Sequence, residues 1–182
     1  MKNKLILFAA IYSILSIVAI CITFYGGYIK LLNLIYIFSL LGMLPFALMA
    51  IKSFRDKENG GIITGKEALK AGLRFVVTSA IILSLFQALF FMLDFKEYKI
   101  NYMKSVGPEA IKKEIASGKI KAEESEIPKI LNNDIEQVTL FAEITGTLFK
   151  TIAYGLFCSF IGAVVFKRTT VKLKVKSHKP KG

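Results

Sequence analysis

Histidine and cysteine are nearly missing from this chain: its 182 residues hold one His and two Cys. The single imidazole, His178, sits close to the last residue, which excludes His-based catalysis within the apolar body and any multi-His metal site. Cys21 and Cys158 belong to different apolar runs and to different depths within them. A disulfide needs closely matched positions, so two apolar thiols are expected instead. No Gly-rich phosphate cradle of the Walker type is present, and Gly60-Gly61 does not supply one. Carboxylates gather mainly in one polar stretch, 94–137, where a solvated charged surface explains them better than paired acid and base work. The expectation is a chain that is not an enzyme, with no catalytic residue, no cofactor and no bound metal.

Charge is absent from three long stretches, 5–25, 31–51 and 75–93, and nearly so from a fourth, which is clean over 151–166 and gains full length by including Leu148, Phe149 and Lys150. At ~1.5 Å per residue a helix of ~20 residues reaches ~30 Å, the thickness of a hydrocarbon core. Continuous apolar runs lack the alternation of barrel strands, and a bilayer admits only helices or closed barrels. The expected fold is therefore an all-α membrane protein, an antiparallel four-transmembrane-helix bundle with a short helical outer insertion between helices three and four. Its parts form one integral membrane domain over 1–182, with spans at about 5–25, 31–51, 73–93 and 146–166, a cytoplasmic loop 52–72, an outer segment 94–140 and a basic tail 167–182. Lys2 and Lys4 before the first span resemble the start of a secretory leader. However, the apolar run is longer than a signal core, and bulky Ile20 stands before Cys21 where a lipoprotein box needs a small residue. The first helix is expected to be retained.

The cations set the orientation. Lys52, Arg55, Lys57, Lys66, Lys70 and Arg74 lie between spans two and three, and Lys167, Arg168, Lys172, Lys174, Lys176, Lys179 and Lys181 follow span four. Lys30 alone joins spans one and two. With basic flanks inside, both termini and the 52–72 loop face the cytoplasm, and a bacterial inner membrane is the expected address. The formal net charge of +12 is then a juxtamembrane excess. It suits anionic lipid headgroups at the cytoplasmic flanks and not nucleic acid.

Within the cytoplasmic loop, Gly60-Gly61 suits a turn with positive φ. Thr64-Gly65-Lys66-Glu67 fits a capping box, so helix three should begin before the apolar run. Ala68 and Gly72, four apart on one face, allow another helix to approach closely. This stretch resembles a bacterial four-span membrane protein family of unknown function, of the domain of unknown function 4199 type. Its pattern there is a basic residue after span two, a Gly pair, a short cap and Ala-x-x-x-Gly opening span three, and Arg55, Gly60, Gly61, Thr64, Ala68 and Gly72 occupy those places. The similarity continues through Asp94, Phe95, Lys96, Glu97 and Tyr98 into span four. Where the family often carries Pro at the outer end of helix three, this chain has Leu93-Asp94. The resemblance implies an inner-membrane location and no established activity. A functional use of the loop would employ Arg55, Lys57 and Lys66 to receive a soluble partner or an anionic headgroup.

Pro45 is expected to kink the second span. In the outer segment, Pro108 reads as the start of a short helix ended by Gly118, and a second helix begins near Pro128. Its apolar residues Ile127, Ile130, Leu131, Ile135 and Val138 suit packing on the bundle or the lipid interface. The same helix is expected to run on into span four, where Thr139, Glu143, Gly146, Thr147 and Lys150 fall on one face near the outer boundary. Ionisable groups at that depth invite a relay or ion site, with Gln87 of span three as the facing polar group, although Lys150 can also snorkel to outer headgroups. Gly155, Ser159 and Ala163 form a small-residue face for helix packing, within the bundle or in a homodimer. These features favour a non-enzymatic accessory, assembly or regulatory subunit, with a membrane-protein partner or a homo-oligomer. The alternative is a small oligomeric transporter or channel. A lipid-modifying enzyme has only the membrane address in its favour.

Overall fold

The computed structural model describes residues 4–28 and 31–167. The expectations attached to Lys2, Lys30, His178 and the tail beyond Lys167 lie outside them. The described chain forms helices α1 (Lys4–Tyr25), α2 (Leu32–Glu58), α3 (Gly65–Phe90), α4 (Lys96–Ala116), α5 (Ile127–Glu136) and α6 (Leu140–Phe166). A π-helical turn at Phe91–Phe95 joins α3 to α4, and a short 3-10 turn at Glu124–Glu126 leads into α5. Four helical segments are long and apolar enough to cross a membrane. Large apolar side chains such as Leu15, Phe38, Leu85 and Phe160 are exposed on all four. In water they would make a far larger apolar surface than a soluble monomer carries, so the arrangement fits a membrane protein.

Two clusters of buried side chains organise the bundle. One joins Leu5 and Ala9 of α1, Ala47 and Ile51 of α2, Ala68 and Phe75 of α3, and Cys158 and Ala163 of α6, together with Ile63 of the intervening turn. It marks the end of the bundle that carries the α2–α3 turn, called here the turn end. The other joins Ile20, Leu32, Phe90, Phe91, Phe95 and Val138, with Phe24, Tyr36, Phe86 and Tyr98 against them. It marks the opposite, hairpin end, where Phe24 meets Phe90 edge-on at 4.9 Å between ring centres and Phe90 stacks on Phe95 at 5.0 Å. Pro45 lies inside α2, which continues through it.

Three local expectations are corrected. The third helix does not stop near Leu93: α3, the π turn and α4 make one helical segment of 52 residues, Gly65–Ala116. At ~1.5 Å per residue that is ~78 Å, more than twice a hydrocarbon core, so part of it must extend beyond any membrane it crosses. Polarity rises at Asp94, but the backbone stays helical because the wider turn lets Phe90, Phe91 and Phe95 all bury in the hairpin-end cluster. Pro108 likewise lies inside α4 and does not start a helix. At the neighbouring Gly107 a Cβ would come within 2.6 Å of Leu131 of α5, so tertiary packing holds α4 helical where local preference would break it. Finally, α5 does not run into α6. The chain breaks at 137–139, and α5 is expected to start close to where it does, with Pro128 in its first turn. It packs on α4 and forms a helical hairpin with it.

Candidate functional site

Where the turn-end core stops, α2 and α6 leave a cleft of about 480 Å³, lined by Asn33, Tyr36 and Ser39 of α2, Gln87 of α3, Lys99 of α4, and Glu143, Thr147, Lys150 and Thr151 of α6. Tyr12, Ile20, Ile37, Leu40, Leu83, Phe86 and Phe95 supply its apolar wall. A mixed wall of this size falls in the range of small-molecule sites, roughly 300–1,000 Å³.

One hydrogen-bonded chain crosses the cleft. The Tyr36 hydroxyl donates to Gln87 Oε1 at 3.2 Å, and Gln87 Nε2 donates to Glu143 Oε2 at 3.4 Å. Lys99 Nζ donates to the other carboxylate oxygen, Oε1, in an ion pair. Gln87 is only 3% exposed, so its amide depends on these partners. Below them the Tyr12 hydroxyl donates to the Ser39 carbonyl at 3.1 Å. Lys99 balances Glu143, whereas Lys150 has no ion pair among the described residues. The cleft therefore holds one uncompensated cation.

The structure thus brings Gln87, Glu143, Thr147 and Lys150 to one cleft. Thr139 does not join them. Its backbone is extended and its hydroxyl accepts from the Ala142 amide at 3.2 Å, making it the N-cap of α6. Gly146 is half-buried but does not line the cleft. Lys99, Tyr36 and Tyr12 are site residues that sequence reasoning missed. The available signal for Lys99 was its position four after Phe95 and eight after Phe91, visible only if the helix is continued past Asp94.

The loop residues build the turn between α2 and α3. Gly60 and Gly61 adopt φ of 62° and 81°. The Thr64 side chain accepts from the Glu67 amide, and Glu67 accepts from the Thr64 amide at 2.9 Å, completing the box. Ala68 is fully buried, and Gly72 faces Ser159. Arg55 is not offered to solvent. Its Nε donates to Asp56 at 2.6 Å and its guanidinium lies 5.2 Å from the Phe166 ring centre, with a side chain 10% exposed. Of the three cations that a functional use of the loop would employ, Arg55 is thus the one turned inward. Lys57 and Lys66 are exposed. On α6, Gly155, Ser159 and Ala163 are buried, with Gly155 against Val76 of α3. Among the described residues no three of His, Cys, Asp and Glu converge as a metal-binding group.

Residues 6–168 match the model of a family described as Protein of unknown function (DUF4199). The chain belongs to this family. The matched range takes in the four apolar helices but for the first two residues of α1, the turn motif and every residue lining the cleft, so the cleft lies within the DUF4199 region. No curated protein and no solved structure matches the chain.

Proposed function

We propose that this DUF4199 chain is a multi-pass bacterial inner-membrane protein, an antiparallel four-span bundle with the turn end and both termini cytoplasmic. In this reading it works without catalysis, as an accessory, assembly or regulatory subunit. The observation that carries the reading is the unbroken course of α3 through the π turn into α4. A partner held on the α4–α5 hairpin would act on the bundle through one continuous helix, which is tied at its base by Tyr25 to Asp94 at 2.7 Å and by Lys99 to Glu143. Extraction of the full chain in mild detergent should yield one membrane protein in fixed ratio, lost when the exposed α5 residues Lys129, Asn132 and Asn133 are replaced by Ala. Retention of that partner in the triple variant would contradict this use of the hairpin.

The alternative, a small oligomeric transporter or channel, is favoured by the Tyr36, Gln87, Glu143 and Lys99 chain at the cleft. Against it in a single copy stands the turn-end core, where Ala47, Ile51, Phe75 and Val76 are all 0% exposed and fill the space beneath the cleft. Flux through liposomes containing the purified chain, abolished by Glu143→Gln, would establish the transporter reading. Absence of flux fits the subunit reading.

A further inference from the structure

The Lys150 side chain is exposed at the cleft and has no ion pair among the described residues. It lies on the third turn of α6, about 10 Å along the axis from Glu143, toward the apolar middle of the helix. The Glu143 carboxylate is already engaged by Lys99 and Gln87. An exposed lysine at this depth reaches toward the outer headgroups, where the oxygens it meets are those of lipid phosphates. Thr147 and Thr151, three before and one after Lys150, line the same cleft and place hydroxyl donors beside it. Next to this polar corner the wall is apolar, formed by Ile37, Leu40 and Leu83.

We infer that the cleft holds one anionic phospholipid, its phosphate paired with Lys150 and one acyl chain lying along the apolar wall between α2 and α6. Charge selects this occupant. Lys99 and Lys150 against Glu143 leave a single positive charge, which a headgroup of one net negative charge cancels and a zwitterionic headgroup does not. The inference does not depend on any protein partner, so it can hold or fail separately from the subunit reading.

The test is native mass spectrometry of the full chain delipidated in detergent and then offered phosphatidylglycerol or phosphatidylcholine. The expected result is one phosphatidylglycerol retained per chain at least ~10-fold more strongly than phosphatidylcholine, corresponding to ~1.4 kcal/mol. Lys150→Gln should abolish the preference and Lys150→Arg should keep it, while thermal unfolding shows both variants folded. Equal retention of the two lipids, or an unchanged preference in Lys150→Gln, would overturn the inference. Inorganic phosphate displacing phosphatidylglycerol at matched concentration would also overturn it, because the headgroup alone would then be the ligand. If Lys150→Gln fails to fold, the comparison of the two lipids on the wild-type chain and on Lys150→Arg decides.

Discussion

Gly72 and Gly155 set how closely α3 and α6 approach. A Cβ on Gly72 would lie 2.6 Å from Ser159 Oγ and 3.1 Å from Ser159 Cα, so a side-chain rotation cannot clear it. A Cβ on Gly155 would lie 2.4 Å from Cγ1 of Val76, a β-branched side chain with little rotamer freedom. Gly72→Ala should therefore destabilise the bundle by about 1–3 kcal/mol in a detergent unfolding titration, and Ser159→Gly should recover part of the loss. Gly42, with nothing within 4 Å of its would-be Cβ, is the control. There Ala should be neutral or gain up to ~1 kcal/mol from helix propensity. At the start of α3, ahead of the apolar run, the Thr64 amide and hydroxyl hold the Glu67 carboxyl below the usual carboxylate range. A depressed folded value gives stability that is complete above the unfolded value of ~4.3 and is lost as pH falls through the folded one. Wild type should therefore lose more Tm between about pH 6 and pH 3 than Glu67→Gln does, and equal losses would show that the box is not formed. Thr64→Ala should cost about 1 kcal/mol.

At the scale of the helices, the network of Tyr36, Gln87, Glu143 and Lys99 joins α2, α3, α4 and α6. Interhelical hydrogen bonds between membrane helices average ~0.6 kcal/mol, so Tyr36→Phe should cost about that much. A double-mutant cycle on Lys99 and Glu143 should give a coupling of about 0.5–1 kcal/mol, at the low end because the Lys99 side chain is 34% exposed. Zero coupling would detach α4 from α6. The four apolar helices were legible because absence of charge over a bilayer's length needs no tertiary information, and the Thr64 cap was legible because its partners are three residues apart. What was hidden is non-local. Helix continuity across Asp94 depends on where Phe91 and Phe95 are buried, and Pro108 stays helical because Leu131 packs on Gly107. Gln87, Glu143, Thr147 and Lys150 were recognisable as polar residues in apolar surroundings. Lys99 was not, since it lies in the polar outer segment among many other charges. Thr139 shares the stripe's spacing but caps α6, because a cap and a facing residue have the same helical spacing.

For the whole molecule, two ends with different constructions follow from the two buried clusters. The turn end is closed by Ile63 and the box before α3, with exposed Lys57 and Lys66 around it, and the hairpin end carries the long helix and α5. In the proposed account hydrocarbon surrounds the apolar faces between them, and the basic turn end faces the cytoplasm. Side-specific thiol labelling tests this most directly. Cys21 and Cys158 are replaced by Ala, and single cysteines are placed at Lys66 and at Lys121, which are both exposed. In intact cells a membrane-impermeant maleimide should label Lys121→Cys at once and Lys66→Cys only after the inner membrane is opened. Labelling of both positions from one side, or recovery of the chain in the soluble fraction, would contradict the account.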